Sequence, residues 1–557
     1  MTTEARMNET MLVPGKVKQL PYQFDIVETI TRMFDSKGRL HPDFFKNYGV
    51  VLPTSLGKTY IAMQIVDCFY PHGMVLMLAP TLALLRQHYE LFRECFVVPD
   101  EIRLIVGMQP SKRQLIWDGG ICLATPQTVA NDIAKGIMDL DKVSLMIFDE
   151  CHLAVGDHAY VRIAKAAREH HCHLLGLTAS PGDSSHKINQ VAENLGIAQW
   201  LNKTEKDADV RQFVKAKDNI PTFEKMPLPM IAMEEMVTDQ LLLLNRYFIE
   251  QGFGIIDQDG RQIEEPDHDY QPLGFYGQVK TKIRKPCVCP DKVMSLADLE
   301  ALQALMESLV KDRALKGRLQ TKCGEYYKWR YFLQVLVSEG YEVAMNYLIS
   351  QELKSVPQRK INKKTKQSLT IMPSVATKNM VGDSLFGWLK TYLEIIGRRG
   401  DIHPKIEALV RILKHNWRPG VAALVFANSV SCVRQLERAI NSGGHPFSGQ
   451  ARMITGQSAM KKGEQLAALA EFSSGRCSIF LSTTVLELGM HLPAVKLVIN
   501  YNAPMTAISK IQRAGRTGRV APGDIFHILM KHPIDTAVYY SSRRKETRMQ
   551  EVLENAG

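Results

Sequence analysis

Val50-Val51-Leu52-Pro53-Thr54-Ser55-Leu56-Gly57-Lys58-Thr59-Tyr60-Ile61-Ala62 is the stretch that decides how the rest of this chain is read. An apolar run with β-branched residues (Gly49-Val50-Val51-Leu52) meets a turn of small residues and Gly57-Lys58-Thr59, after which Ile61, Ala62 and Ile65 recur at helical spacing. The order is strand, turn, helix. At such a turn successive backbone N–H groups and a helix N-terminus surround a polyphosphate, while a Lys reaches its outer phosphates and a Thr hydroxyl ligates Mg²⁺. The full signature is G-x-x-x-x-G-K-[ST], and Leu52 stands where its first Gly belongs. Taken by itself, a G-K-T here is also compatible with an ordinary turn.

A second element tips the balance. Leu145-Met146-Ile147-Phe148 is a buried-strand pattern ending in Asp149-Glu150-Cys151-His152. Two carboxylates at the end of a parallel strand place Asp149 to hold the Mg²⁺ of a nucleotide on the first loop, and Glu150 to polarise an attacking water. A D-E after an apolar strand is often just a solvated loop; paired with Gly57-Lys58-Thr59 it points to ATP.

Composition frames the rest. The 557 residues suggest more than two domains, and an apolar share of 45% is enough to give each a core. A net charge of +11 suggests a polyanionic partner. The 10 cysteines are scattered, most in apolar runs (Cys68, Cys122, Cys172, Cys477), as small core residues of a reduced cytosolic protein would be. Cys287-Val288-Cys289 with Cys323 is a weak zinc trio. The N-terminus lacks a basic-then-apolar signal pattern, and the apolar stretch from Met74 to Leu85 is broken by Pro80. Neither export nor a membrane span is expected. The expected location is cytoplasmic, nucleoid-associated in a prokaryote or nuclear in a eukaryote.

In chain order, Leu20-Pro21-Tyr22-Gln23 opens a helix (Phe24, Ile26, Val27, Ile30, Met33) after a polar start. The Gln23 amide offers donor and acceptor together, as recognition of adenine requires, or simply begins the helix. From 74 to 180, strand-like runs alternate with helical stretches, the pattern of a doubly wound parallel α/β sheet. Several strands end in small hydroxyl turns: Pro80-Thr81, Thr125-Pro126 and Thr178-Ala179-Ser180. The carboxyl ends of parallel strands line one crevice, where short hydroxyl side chains hold phosphates without reading bases.

Between about 185 and 400 the spacing predicts helices over 230–248, 294–309 and 323–353. The basic cluster in 355–366 (Arg359-Lys360, Lys363-Lys364-Thr365-Lys366) reads as a solvated linker or a phosphate contact. The α/β pattern returns at His403-Pro404-Lys405 and runs to 529, giving a second sheet without a G-K-T of its own. It carries instead Gln512-Arg513-Ala514-Gly515-Arg516-Thr517-Gly518-Arg519, three arginines on a short Gly-punctuated element. The planar fork of Arg suits a phosphate whose charge grows during transfer. The simplest arrangement is one nucleotide between two lobes.

These residues resemble a superfamily 2 helicase. Pro53 to Thr59 is similar to motif I, Asp149-Glu150-Cys151-His152 to motif II, Thr178-Ala179-Ser180 to motif III, Ser482-Thr483-Thr484 to motif V and Gln512 to Arg519 to motif VI. D-E-C-H-L-A-V-G-D-H-A-Y, L-T-A-S-P-G, H-P-K-I-E-A-L and the helical insertion look most like archaeal Hef and the Fanconi anaemia M helicases, with the double-stranded RNA sensors and Dicer as further relatives.

The resemblance implies an α/β fold: two RecA-like doubly wound parallel-sheet lobes at 1–230 and 401–557, with a mainly helical insertion at 231–400 that clamps nucleic acid. It implies a phosphate loop of Thr54, Ser55, Leu56, Gly57, Lys58 and Thr59, with Gln23 on adenine and Thr59 and Asp149 on Mg²⁺. Glu150 would activate the water; Gln512, Arg516 and Arg519 would face the γ-phosphate, with Arg519 as the finger. Thr81, Arg86, Thr125, Ser429, Thr455 and Thr483 would lie along the nucleic acid, coupled to ATP through His152, Thr178 and Ser180. The expected activity is an ATP-dependent helicase or translocase on branched or forked DNA; the alternative is an ATP-gated module that clamps duplex DNA or RNA with little unwinding. Ser55 departs from the Gly usual in motif I, and His491 stands where relatives carry an Asp at the nucleotide sugar. With only a short tail after Arg519 in this sequence, a nuclease domain of the kind Hef carries is not expected.

Overall fold

Strands form where the sequence runs apolar and β-branched, and they assemble into two parallel sheets. The computed structural model describes residues 10–554 except 18, 33, 35–45, 55, 171, 183, 215–216, 254–287, 362–367, 457–458, 484–494 and 518–521. The first sheet comprises β1 (Asn47–Val51), β2 (Met74–Leu78), β3 (Ile102–Ile105), β4 (Ile121–Ala124), β5 (Val143–Asp149), β6 (His173–Thr178) and β7 (Ile197–Asn202). Their order is β3-β4-β2-β5-β6-β1-β7. β1, β2, β4 and β6 are buried along their whole length because helices cover both faces of the sheet, each face with its own apolar core. The register sets Val51 opposite Thr178 and Asp149 opposite Leu177, which brings the ends of β1, β5 and β6 to one edge.

The second sheet contains β8 (Lys217–Glu224), which precedes the antiparallel hairpin of β9 (Gln358–Ile361) and β10 (Ser368–Ile371), together with β11 (Ala423–Phe426), β12 (Ala451–Ile454), β13 (Ile479–Ser482), β14 (Leu497–Asn500) and β15 (Gly523–Met530). Its order is β12-β13-β11-β14-β15-β8. β8 lies before residue 230, yet it pairs with β15 along its full length, so the first lobe's chain contributes an edge strand to the second sheet. Lys-Asp-Asn-Ile-Pro-Thr-Phe-Glu is too polar for a central strand, and Pro221 donates no N–H; an edge tolerates both. The basic cluster expected as a linker begins on the hairpin, with Arg359 on β9; Lys363, Lys364 and Lys366 lie outside the described residues.

Between the sheets lie helices Leu228–Phe248, Leu296–Leu309, Arg313–Ser338, Tyr341–Lys354, Val375–Gly382 and Ser384–Arg399. The single helix expected over 323–353 is two, broken at Gly340, whose φ of 130° a helix cannot contain. The insertion shares one continuous apolar core with the second lobe. Its junction is polar and buried: His403 Nε2 donates to Leu336 O (3.1 Å), Asn502 Nδ2 to Ser338 O (2.8 Å) and Tyr501 OH to Glu339 O (3.1 Å). Lys405, fully enclosed, pairs with Asp535 at 2.8 Å.

The last helix, Pro533–Glu554, carries Asp535 at that junction and Met549 and Leu553 in a core of the first lobe. Its 22 residues span about 33 Å, enough to reach across both lobes. No described helix is long and apolar enough to cross a membrane.

Candidate functional site

The loop after β1 is tied to β6 by Leu52 N–H donating to Thr178 O (3.1 Å). Gly57 turns the chain at φ 81°, ψ 34°, a left-handed conformation that glycine adopts without steric cost, and a side chain there would also strike the Gln23 amide. Lys58 then opens the helix Lys58–Phe69, and its Nζ donates to Leu52 O at 3.0 Å, so the amine folds over the loop it closes. Thr59 is the second residue of that helix and half-buried. Tyr22 OH (3.0 Å) and Gln23 Nε2 (3.1 Å) both donate to Leu56 O, while Gln23 Oε1 accepts from Leu20 N–H (3.1 Å). Gln23, expected to face adenine, is here 2% exposed and packs its helix onto the phosphate loop. Ser55 lies outside the described residues.

The carboxylates stand at the end of β5. Asp149 Oδ1 accepts from Glu150 N–H (3.0 Å) and Oδ2 from His88 Nε2 (2.8 Å), while Tyr160 OH donates to Asp149 O (2.7 Å). Glu150 sits at φ 52°, the one non-glycine among the described residues in the left-handed region, a strain of order 1 kcal/mol that aims its side chain out of the strand line. Its Oε2 is 3.3 Å from His152 Nδ1, which is in turn 3.1 Å from Thr178 Oγ1. Thr178 Oγ1 donates to Ser180 O (2.9 Å) and accepts from Ser180 N–H (3.1 Å). His152, Thr178 and Ser180 therefore form one chain of contacts with Glu150. Burial alone would raise the Glu150 carboxyl, but His152, then Lys58 and Arg516, hold it below the ordinary carboxylate value.

That influence of Arg516 comes from the other lobe, and Gly515 makes the approach closer still. A Cβ added to Gly515 would overlap Thr54 Oγ1 and Cβ, so only glycine lets the second lobe settle on the phosphate loop in this way. Gln512 is 5% exposed, and its Nε2 has no hydrogen-bond partner among the described residues; Glu150 Oε2 likewise accepts no well-aligned hydrogen bond. A buried donor without a partner, close to a carboxylate that has only the 3.3 Å contact with His152, fits a phosphate oxygen and a water. Thr59 and Asp149 offer hard oxygen donors of the kind that would hold Mg²⁺. Among the described residues no three or more His, Cys, Asp or Glu cluster as a metal site. Cys323 is a core residue against Met306, Cys289 bonds Asp291, and Cys287 lies outside the described residues.

Of the three arginines, Arg513 is structural: it is buried, with Nη1 donating to Asn500 Oδ1 (3.2 Å) and Asn502 O (3.1 Å), and it stacks over Phe426. Arg519 lies outside the described residues, as do Thr484 and His491.

The expected nucleic-acid residues all follow strand ends. Thr81, Thr125 and Ser429 are N-cap residues of the helices after β2, β4 and β11, half-buried on that edge, and Arg86 is exposed. The Ser429 hydroxyl is engaged by Glu339 of the insertion. Thr455 is fully buried and Thr483 is 8% exposed, so in this arrangement neither presents its side chain along the edge.

Sequence reasoning missed His88 and Tyr160, both bonded to Asp149. The signal for His88 was available: it falls on the buried face Leu84, Leu85, Phe92, Cys95 of the helix Leu82–Cys95, a polar residue in a row of apolar ones.

Comparison with known proteins adds the following. A family model described as "Type III restriction enzyme, res subunit" matches residues 16–183, and one described as "Helicase conserved C-terminal domain" matches 404–521. A Methanocaldococcus jannaschii protein, named by inference as an ATP-dependent RNA helicase, is 28% identical over 91% of this chain and 58% of its own length. The ATP-dependent DNA helicase mph1 of Neurospora crassa is 26% identical over 92% of this chain and 41% of its own. The chain thus spans roughly half the length of these relatives. The crystal structure of the Pyrococcus furiosus Hef helicase domain superposes with a TM-score of 0.63 at 27% identity, over 94% of this chain and 98% of that one.

Proposed function

We propose, on the premise that this chain belongs to the superfamily 2 helicases of the Hef and Fanconi anaemia M branch, that it is an ATP-driven helicase or translocase acting on branched or forked DNA in repair or replication. The observation that carries the reading is the seam where Gly515 meets Thr54 and Arg516 acts on Glu150. Turnover there requires residues of both lobes at once.

In this reading Lys58 and Thr59 hold the outer phosphates, and Thr59 and Asp149 would hold the Mg²⁺, which would neutralise charge on the phosphates. Glu150, kept ionised by its neighbours, accepts the proton of the attacking water. Arg516 and Gln512, with Arg519 beyond the described residues, stabilise charge growing on the transferred phosphate. Because the two sets belong to different lobes, ATP favours the closed seam and hydrolysis releases it. Thr81, Arg86, Thr125 and Ser429 on the strand-end edge then alternate their grip on the backbone. The mph1 relatives carry DNA in their names and the M. jannaschii relative RNA; the motif wording nearest to Hef favours DNA.

The test is displacement of a labelled strand from forked DNA, duplex DNA and duplex RNA at stated salt, comparing the protein with Glu150→Gln. ATP-dependent unwinding of the fork that Glu150→Gln abolishes supports the motor. Tight binding without displacement on any substrate would replace it with a nucleotide-gated clamp.

A further inference from the structure

We propose that His88 is the positioning residue through which the helix Leu82–Cys95 sets the carboxylate of Asp149, so that nucleic acid held at the start of that helix changes the rate of ATP turnover. The inference rests on the function proposed above and goes further by assigning a residue and a route.

The helix has two different ends of business. Thr81 caps it, with Oγ1 accepting from Leu84 N–H (3.2 Å), and Arg86 projects into solvent one turn on; both lie on the edge proposed to hold the backbone. On the face opposite Arg86, His88 is 3% exposed and places Nε2 2.8 Å from Asp149 Oδ2. Since a carboxylate only accepts, the proton of that bond is on Nε2. Nδ1 is enclosed and has no partner among the described residues. An apolar side chain between Leu84, Leu85 and Phe92 would leave no such orphan, so packing does not explain an imidazole here.

What the imidazole does is fix a carboxylate. The backbone of Asp149 is held by Tyr160, and Oδ1 by Glu150 N–H; both come from the turn after β5 or the helix beyond it. His88 is the contact that arrives from the nucleic-acid edge. It lies about 10 Å along a rigid helix from Thr81. Each oxygen of Asp149 keeps a lone pair for Mg²⁺, and outer partners of this kind align a ligating carboxylate and raise metal affinity or activity by roughly 10- to 100-fold. A shift of the helix on binding nucleic acid therefore moves the donor that orients the metal ligand.

The experiment compares wild type with His88→Gln, whose amide N–H reaches about where Nε2 stood, and His88→Leu, which fills the space without a donor. Three quantities are read: ATPase with and without forked DNA, DNA affinity by anisotropy, and binding of Mn²⁺ in place of Mg²⁺ by electron paramagnetic resonance with a non-hydrolysable ATP analogue. Expected for His88→Leu are a 10- to 100-fold loss of DNA-stimulated turnover, a similar weakening of Mn²⁺, unchanged DNA affinity and a smaller loss of unstimulated turnover, with His88→Gln recovering most of each. Wild-type Mn²⁺ affinity and stimulation in His88→Leu would overturn the proposal, as would His88→Gln behaving no better than His88→Leu. Should His88→Leu fail to fold, His88→Asn, whose shorter amide falls short of Asp149 Oδ2, takes its place: loss of Mn²⁺ affinity and stimulation that His88→Gln recovers supports the assignment, and wild-type values in His88→Asn overturn it. A wild-type protein that no nucleic acid stimulates would refute the proposed motor instead, and the Mn²⁺ comparison would still decide the His88–Asp149 contact.

Discussion

Replacing Gly515 by Ala isolates the seam from every other variable. At φ −70°, ψ −2° the position accepts any residue, so Ala introduces no backbone strain. What it introduces is a methyl group that overlaps Thr54 Oγ1 and Cβ and stands 2.8 Å from Thr54 Cγ2, against an ordinary contact of 3.4 Å or more. Even the most distant of the three atoms must retreat by 3.4 − 2.8 = 0.6 Å, and the nearer two by more, so the seam is held open by about 1 Å. A misplacement of that size between reacting groups costs roughly 10²-fold in rate. Gly515→Ala should therefore lower DNA-stimulated ATP turnover about 100-fold, while a fluorescent ATP analogue still binds the first lobe within a few-fold of wild type. Adding Thr54→Gly removes all three atoms and should restore turnover toward that of Thr54→Gly alone. If Gly515→Ala turns over ATP at the wild-type rate, the two lobes do not meet at Thr54 during the reaction.

Three further expectations follow from other parts of the molecule. Lys405→Met leaves Asp535 enclosed without its partner and should cost about 3–5 kcal/mol in urea unfolding, part of it recovered by adding Asp535→Asn. Burial pushes His173 from 6.5 down to about 3, so as the pH falls below 6.5 the unfolded chain takes up a proton that the folded one refuses. The stability from this neutral ring is whole above pH 6.5, about 2 kcal/mol of it is gone by pH 5, and His173→Phe, which keeps the stack on Phe69, should flatten that loss in unfolding curves at pH 7 and 5. Arg519→Ala should reduce turnover by roughly 10³- to 10⁵-fold with ATP binding retained, measured by ATPase and analogue titration.

What the sequence made legible was whatever is written in apolar periodicity and at strand ends. The apolar runs Ile121–Ala124 and Ile479–Ser482 are strands, because both faces are buried and the run is uninterrupted. Gly57-Lys58-Thr59 and Asp149-Glu150 converge because both lie just past parallel strands whose register the sheet enforces. Two of the edge strands were not legible: β7 and β8 are half polar, and a single pairing partner asks little of their side chains. Nor does a string of arginines disclose that Arg513 serves Asn500 and Phe426 while Arg516 serves the seam, since the helix ends at Ala514 between them. Gly340 shows the same limit: the apolar spacing on both sides of it continues, and the break is visible in its dihedral angle alone.

The exchange of β8 and the last helix makes the halves of this molecule mutually dependent. The first lobe lends a strand to its neighbour, and the neighbour lends back a helix whose Met549 rests 2.8 Å from Ser180 Oγ, the end of the contact chain that starts at Glu150. A fragment cut within the insertion would thus expose a bare β15 on one side and an empty apolar seat for Met549 and Leu553 on the other. Dissecting the motor into separately expressed lobes should yield sticky, incomplete pieces, and their reassociation would be driven by the very segments that tether each lobe to the other's clock.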